Sequence, residues 1–391
     1  MTFFFSFILA MFVTMSLIPL LIRKAETWQF VDMPNQRKVH NNAIPRIGGM
    51  AMVAGAVIPI VMWLIPEKTV MALLSGMTVI FGFGAWDDRI NLNYKTKFLG
   101  QSIGVLIVIF WGGVKISLLP FAGPEAVSDY ISLPLTFFFL LGITNAINLA
   151  DGLDGLAGGT TLLSFGVIAI LGYFERDVVV VLVSVAVLGS ILGFLRFNTH
   201  PARIFMGDGG SQFLGFSVGV LAIMLTQQSG TLLNPALPLL LLGLPILDTL
   251  LVMGQRIYEK LSPFAPDRNH IHHKLLKLGF DHYEAVFTIY VMQSVLVIGA
   301  YFLRYQSDAA VVGAYLLFCL LVIAFFRAAY INGWKLRTEN SNNVRPLIAK
   351  SVKRFRKYQY EGKISEWAYG IALLLMPLFL LACTLQSPRV S

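Results

Sequence analysis

Five short stretches of this chain gather side chains able to do chemistry. The densest, residues 145–160, reads Asn-Ala-Ile-Asn-Leu-Ala-Asp-Gly-Leu-Asp-Gly-Leu-Ala-Gly-Gly-Thr and sets two asparagines, two aspartates and four glycines between apolar runs. Asn148, Asp151 and Asp154 recur every three residues, so a helical or 3₁₀ turn would present them on roughly one side. Hard oxygen ligands of this kind suit Mg²⁺, which takes one or two carboxylates and keeps positions for water and phosphate. A glycine-rich turn with capping aspartates is the plainer alternative. It is the weaker one, because four polar groups ending one membrane-length span are costly unless they bind something.

The second stretch is Asp87-Asp88, at the end of an apolar run. Adjacent carboxylates there need a cation or a proton to neutralise them. Asn91 shares a face with Asp88 if the helix continues, and Lys95 and Lys97 follow. A solvated pair balanced by Arg89 and those lysines is the alternative. In the third stretch, Arg-Ile-Phe-Met-Gly-Asp-Gly-Gly-Ser (203–211), Asp208 is either a helix cap or a further contributor to a cation site. The fourth, Pro-Asp-Arg-Asn-His-Ile-His-His-Lys (266–274), places His270, His272 and His273 beside Arg268 and Lys274. No cysteine or paired histidine motif completes a tetrahedral zinc set. The group better suits a diphosphate clamp, since Arg grips phosphate oxygens bidentately; a solvated basic loop is the alternative. The fifth, residues 37–49, supplies Lys38, His40 and Arg46.

These stretches need elements to carry them, and the composition says which. Of 391 residues, 56% are hydrophobic and 13% charged, with a mean hydropathy of +0.72. A soluble domain carries about 25% charged residues. The chain is expected to be an all-α polytopic membrane bundle. Runs near the 20 or so residues that cross a bilayer fall at 2–22, 47–65, 70–86, 98–114, 131–150, 157–174, 178–195, 212–226, 235–253, 284–303 and 309–329. A twelfth at 367–384 is less marked. The first run lacks a positive n-region and a small-residue cleavage site, so it is expected to be a retained span. Residues 1–330 form the expected membrane domain, and 331–391 a basic segment resting on anionic headgroups. The two cysteines, Cys319 and Cys383, both lie in apolar runs, so no disulfide framework is expected.

Placing residues 23–46 in the cytoplasm and alternating from there puts 25 of the 30 Lys and Arg residues on that side. The N-terminus is then outside, and all five stretches share the cytoplasmic face. The net charge of +9 follows from this asymmetry, and no nucleic-acid partner is expected. Acids able to hold Mg²⁺, cations able to hold phosphate and a membrane setting point to phosphoryl transfer between a nucleotide substrate and a lipid. A cation-coupled transporter is the alternative from another class. Asp248, inside the run 235–253, suits that alternative unless it is structural or lines the site.

The same five stretches, in the same order, resemble those of the polyprenyl-phosphate N-acetylhexosamine-1-phosphate transferases (glycosyltransferase family 4) over residues 1–330. The resemblance rests on Arg-Lys-Val-His…Pro-Arg-Ile-Gly-Gly, Asp-Asp-Arg-Ile-Asn-Leu, Asn-Ala-Ile-Asn-Leu-Ala-Asp-Gly-Leu-Asp-Gly, Phe-Met-Gly-Asp-Gly-Gly-Ser and Pro-Asp-Arg-Asn-His-Ile-His-His. It implies a UDP-N-acetylhexosamine donor, an undecaprenyl or other polyprenyl phosphate acceptor, UMP as product, and Mg²⁺ or alternatively Mn²⁺. It also implies roles. Asp208 and Asn148 resemble the metal site, Asp151 and Asp154 the uridine side, and Phe205 the ring that stacks on uracil. Asp87 resembles the proton acceptor, and Asp88 either a nucleophile or an orienting charge. Lys97 resembles the lysine that holds phosphate, and Arg268, His270, His272 and His273 the loop that closes on diphosphate and sugar. Asn91, Lys38 and Arg46 fall within the matching motifs as substrate contacts.

Ile271 interrupts the histidine run, where the muramoyl-pentapeptide branch has three consecutive histidines. That resembles the WecA-type branch, which uses UDP-GlcNAc at the bacterial inner membrane to start O-antigen, common antigen or related glycans. The muramoyl-pentapeptide phosphotransferase is the alternative within the family, and a homodimer is a possible assembly. Two substitutions carry expectations: Asp208→Ala abolishes turnover even with extra Mg²⁺. His272→Ala lowers activity and spares the fold, because its loop is expected to face solvent.

Overall fold

The computed structural model describes residues 1–32, 43–123, 125–227, 231–260 and 269–337. In chain order the helices are α1 (Thr2–Ala25), α2 (Gly48–Trp63), α3 (Lys68–Ile90), α4 (Tyr94–Leu106), α5 (Asp129–Ala150), α6 (Leu156–Phe174) and α7 (Val178–Asn198). There follow α8 (Gly207–Thr226), α9 (Pro238–Leu241), α10 (Gly243–Tyr258), α11 (Ile271–Lys277), α12 (His282–Leu303) and α13 (Asp308–Ile331). Eight of them, α1, α3, α5, α6, α7, α8, α12 and α13, are long and apolar enough to cross a membrane. An α-helix satisfies its own backbone polar groups, which is why such runs become helices in lipid. Polar side chains mark several starts: Asn93 accepts from the Thr96 amide, Asp177 from Val180 and Ser307 from Ala310, while Asp281 and Glu284 form a capping box.

The other three expected spans depart from single long helices. α2 has 16 residues, and α4 runs into a π-helical turn, Ile107–Trp111. The run expected at 235–253 is broken into α9 and α10 at Leu242. Pro245 explains the break, because it has no N–H to offer the carbonyl of Leu241, four residues back. That carbonyl instead accepts from Ser164 Oγ at 2.7 Å and from Gln293 Nε2 at 2.9 Å, while Tyr315 donates to the Gly243 carbonyl at 3.0 Å. Side chains from α6, α12 and α13 thus replace what the broken helix lacks. The twelfth expected span and the basic tail lie outside the described residues.

At the centre stands α8, 94% of whose apolar stretch is buried, against 17% for α13 at the periphery. It packs on α3, α5, α2 and α6. Close approach at its start depends on glycine: a Cβ on Gly49 of α2 would lie 2.6 Å from the Gly210 Cα. The helix begins earlier than expected, at Gly207, and α3 continues past Asp87 and Asp88 to Ile90. Both acidic stretches therefore belong to helix termini rather than loops. A two-stranded antiparallel pair, β1 (Val31–Asp32) and β2 (Ile44–Pro45), lies at the same end. There the Pro45 carbonyl takes the Phe205 amide at 2.8 Å, and the Phe205 and Met206 carbonyls take the first two amides of α2, Gly48 and Gly49, each at 2.9 Å.

Candidate active site

The acids meet where the end of α3 crosses the start of α8. Asp88 lays both oxygens on that start: Oδ1 accepts from the Asp208 amide at 2.7 Å and Oδ2 from the Gly209 amide at 3.0 Å. These are orphan amides of a helix N-terminus, and a carboxylate also suits its positive dipole end. Gly207, at φ +71°, opens the turn for this, and a Cβ there would collide with the Asp88 carboxylate. Asp88 thus orients α8. Asp87, 4% exposed, accepts from the Leu92 amide at 2.6 Å through Oδ1 and pairs with Lys97 Nζ at 2.5 Å through Oδ2. The same ammonium lies 3.2 Å from Asp208 Oδ2. One lysine from α4 therefore bridges carboxylates from α3 and α8. Asn148, in the last turn of α5, donates to Ser211 Oγ at 2.8 Å and lines the cavity beside Asp208.

Asn91 does not continue the helix. It is the C-cap of α3 at φ 51°, its amide bonded to the Asp87 carbonyl, so it does not share a helical face with Asp88. Asparagine tolerates this left-handed position better than most side chains.

Beside the acids opens a cavity of about 980 Å³, lined by Arg46, Asn148, Asp151, Asp154, Phe205, Asp208 and His273 among others. The 145–160 stretch is not one continuous helical turn: α5 ends at Ala150, residues 151–155 form a turn, and α6 starts at Leu156. The three residues at threefold spacing nonetheless line the same cavity. Asn198 holds this turn, accepting from the Gly155 amide at 2.9 Å and donating to the Ile204 carbonyl at 2.8 Å. Burial pushes the Asp151 pKa up to about 7, with the Asp208 charge adding to the push and Arg46 opposing it. Asp154 behaves oppositely. Burial would raise it, but the His200 and Ala202 hydrogen bonds and the His282 charge together hold it below the ordinary 3.8.

His200 and His282 escaped the sequence reading, being isolated histidines with no motif around them. His200 Nδ1 meets Asp154 Oδ2 at 2.6 Å, and His282 Nε2 meets the Asp154 carbonyl at 3.2 Å. This trio is the group of three metal-capable side chains found among the described residues. Its two imidazoles stack at 3.9 Å and 21°. The ring nitrogens reach different parts of Asp154, one a carboxylate oxygen and the other the backbone carbonyl, and the Ala202 amide already shares Asp154 Oδ2 at 3.0 Å. The trio is a hydrogen-bonded wall of the cavity.

The histidine motif corrects one expectation. His270 and His272 are 4% and 3% exposed, not solvent-facing. The His272 ring seats directly on Gly152, where a Cβ would collide with it, and its buried Nε2 has no hydrogen-bond partner among the described residues. Burial, with the neighbouring His273, drives its pKa down to about 3. A buried polar ring explains the miss: the basic flanks of the motif suggested solvent, but α11 packs against α12 and buries Ile271 and Leu275. Lys38, His40 and Arg268 lie outside the described residues.

Comparison with known proteins was consistent over most of the chain. The sequence profile described as glycosyl transferase family 4 matches residues 70–226. The probable undecaprenyl-phosphate N-acetylglucosaminyl 1-phosphate transferase of Bacillus subtilis is 37% identical over 320 residues, covering 81% of this chain and 88% of that protein. The undecaprenyl-phosphate alpha-N-acetylglucosaminyl 1-phosphate transferase of Escherichia coli is 30% identical over 317 residues, covering 78% and 85%. The decaprenyl-phosphate N-acetylglucosaminephosphotransferase of Mycobacterium leprae is 32% identical over 328 residues, covering 74% and 82%.

Proposed function

The chain belongs to glycosyl transferase family 4, and on that premise we propose that it transfers N-acetylglucosamine-1-phosphate from UDP-N-acetylglucosamine to undecaprenyl phosphate. An oxygen of the lipid phosphate bonds to the sugar-side phosphorus, the diphosphate bridge breaks, and UMP leaves with the electron pair. The product is undecaprenyl-diphosphate-N-acetylglucosamine, the first lipid-linked intermediate of a surface polysaccharide. Family membership leaves no place for the transporter.

The observation that carries this reading is Lys97 held between Asp87 and Asp208, at 2.5 Å and 3.2 Å. Asp208 also lines the cavity, so the lysine stands where a nucleotide diphosphate and a second phosphate would meet. Its ammonium offsets charge on the transferring phosphoryl group, which is the main demand of such a reaction. Asp87 takes the proton of the attacking phosphate, a role its pairing with Lys97 supports. Asp88, with both oxygens on backbone amides, is read as orienting α8 rather than as the nucleophile, and those two hydrogen bonds support that reading. Phe205, Asp151 and Asp154 hold the uridine, with His273 and His272 towards the diphosphate. The same helix ends expose Trp86, Ile90 and Phe98, apolar surface suited to a prenyl chain.

The oxygen donors fit Mg²⁺: the Asp208 carboxylate and the Asn148 amide oxygen would hold it, and Mn²⁺ would satisfy the same hard ligands. When bound, the ion neutralises charge on the diphosphate. The excess of Lys and Arg in the sequence connections that carry the site motifs supports a cytoplasmic active site in a bacterial inner membrane. Purified protein given radiolabelled UDP-N-acetylglucosamine, Mg²⁺ and undecaprenyl phosphate should yield a labelled lipid and UMP. A panel adding UDP-N-acetylgalactosamine and UDP-MurNAc-pentapeptide tests the donor; absence of product with all three would overturn the reading.

A further inference from the structure

A buried carboxylate outside the cavity lining is left unexplained by this mechanism. Asp248 lies on α10, 8% exposed, on a helix face that also buries Leu244, Leu247 and Val252 and, two turns on, Arg256. An acid buried among such neighbours persists only if it is paired and hydrogen-bonded. Both its oxygens reach the start of the histidine motif. Oδ2 meets His270 Nδ1 at 2.8 Å, and Oδ1 accepts from the Ile271 amide at 2.7 Å. It is not among the residues that line the cavity.

We propose that Asp248 is a positioning residue for the transfer reaction, acting through His270 to seat the histidine motif against the 151–155 turn. This rests on the reading above. The two-point grip fixes the His270 ring and the first amide of α11 together, so the ring cannot turn without giving up the helix start. With Nδ1–H donated to Asp248, Nε2 is the ring nitrogen left for other chemistry. The order is passed on by packing. The His270 and His272 rings lie 5.8 Å apart and 6° from parallel, and His272 and His273 at 4.2 Å and 43°. His272 rests on Gly152, and His273 faces the cavity. A shift of the Asp248 carboxylate therefore displaces side chains at the diphosphate end of the site.

A double-mutant cycle separates positioning from mere support of α10. Asp248→Asn leaves one oxygen and turns an NH₂ towards a donor, so turnover should fall about 10- to 100-fold, the size of a lost hydrogen bond to a charged group. His270→Ala should lose a similar factor. The double variant should be no slower than His270→Ala within about twofold, because the two losses are one interaction. Asp248→Glu, which keeps the charge, should recover part of the rate. Losses that multiply, or wild-type turnover in Asp248→Asn, would overturn the proposal. If Asp248→Asn does not purify folded, the same cycle is run with Asp248→Glu and read by the same rule. Hydrogen–deuterium exchange gives a readout free of turnover: Asp248→Asn should speed exchange in residues 271–277 and leave α3 and α8 unchanged. Should the wild type be inactive on every donor, the transfer reading fails alone. The exchange arm then judges the clamp, and unchanged exchange at 271–277 overturns it.

Discussion

The two ends of the bundle are both rich in acids, yet they use them differently. At the end away from the cavity, Asp308 accepts from Asn234 Nδ2 at 2.6 Å and from the Phe121 amide at 2.7 Å. Gln227 takes the Ser117 and Leu118 amides there at 2.9 and 2.7 Å, and Glu175 accepts from Thr231 at 2.9 Å. These groups tie loop to loop, mostly through neutral donors, and their work ends with the backbone they hold. At the site end, Asp87 and Asp208 meet over one ammonium, and Asp154 meets an imidazole. The contrast teaches that residue type says little. What separates the two sets is the company each keeps: at the site end the partners are themselves charged or titratable and cluster beside the cavity that Asp154 and Asp208 line.

The sharpest way to break the comparison is Asp208→Ala. Turnover should fall by about 10²- to 10³-fold or more, with little recovery on raising Mg²⁺, while the detergent melting temperature stays near that of the wild type. Near-normal turnover would make Asp208 equivalent to the acids at the far end.

Gly207→Ala tests whether orientation and chemistry are separable. The positive φ and the clash with Asp88 should cost about 1–3 kcal/mol of stability and most of the activity, since the α8 start must shift. A folded, fully active variant would show that Asp88 does not set that start.

The pH dependence of stability sharpens the contrast further. His272, with its folded pKa down at about 3, contributes stability fully above its ordinary 6.5 and loses it as pH falls towards 3. Asp151, pushed up to about 7, runs the other way: its contribution is full below the ordinary 3.8 and is lost as pH rises towards 7. Melting His272→Gln at several pH values should show less acid-side loss than the wild type, and Asp151→Asn a gain near neutrality. Parallel curves for all three proteins would count against both assignments. His272→Gln should also lower stability at every pH, because the ring is buried, which revises the expectation that the fold is indifferent to this residue.

The smallest effect is expected from Lys115→Ala at the far end. Its pairing with Asp129 is exposed, so the change should cost no more than about 1 kcal/mol and leave turnover per folded molecule unchanged.

The helical membrane class and most spans were legible from apolar run lengths, and the acid, lysine and histidine motifs from their spacing. Asp87, Asp208, Lys97 and Asn148 do converge, as their motifs implied. What stayed hidden were contacts between distant positions. His200 and Asp154 are 46 residues apart, and His270 and Asp248 are 22 apart. No local period encodes such pairs. Asp248 did give a signal, an acid inside an apolar run, but run length alone could not say what it faced. Likewise Pro245 lay in plain view within 235–253, yet only the neighbours that take up the Leu241 carbonyl make a break there tolerable.

That break has a mechanical consequence. Asp248 stands six residues beyond Leu242, about 9 Å along the axis at about 1.5 Å per residue. Tilting α10 by about 10° about that pivot would carry the carboxylate roughly 1.6 Å, by the same rise, more than a hydrogen bond tolerates. The pivot is pinned from three sides, by Ser164, Gln293 and Tyr315, in a medium that offers no substitute donors. The protein thus sets the aim of its histidines from a fulcrum buried deep in the bundle, and holds α10 as a lever that cannot drift.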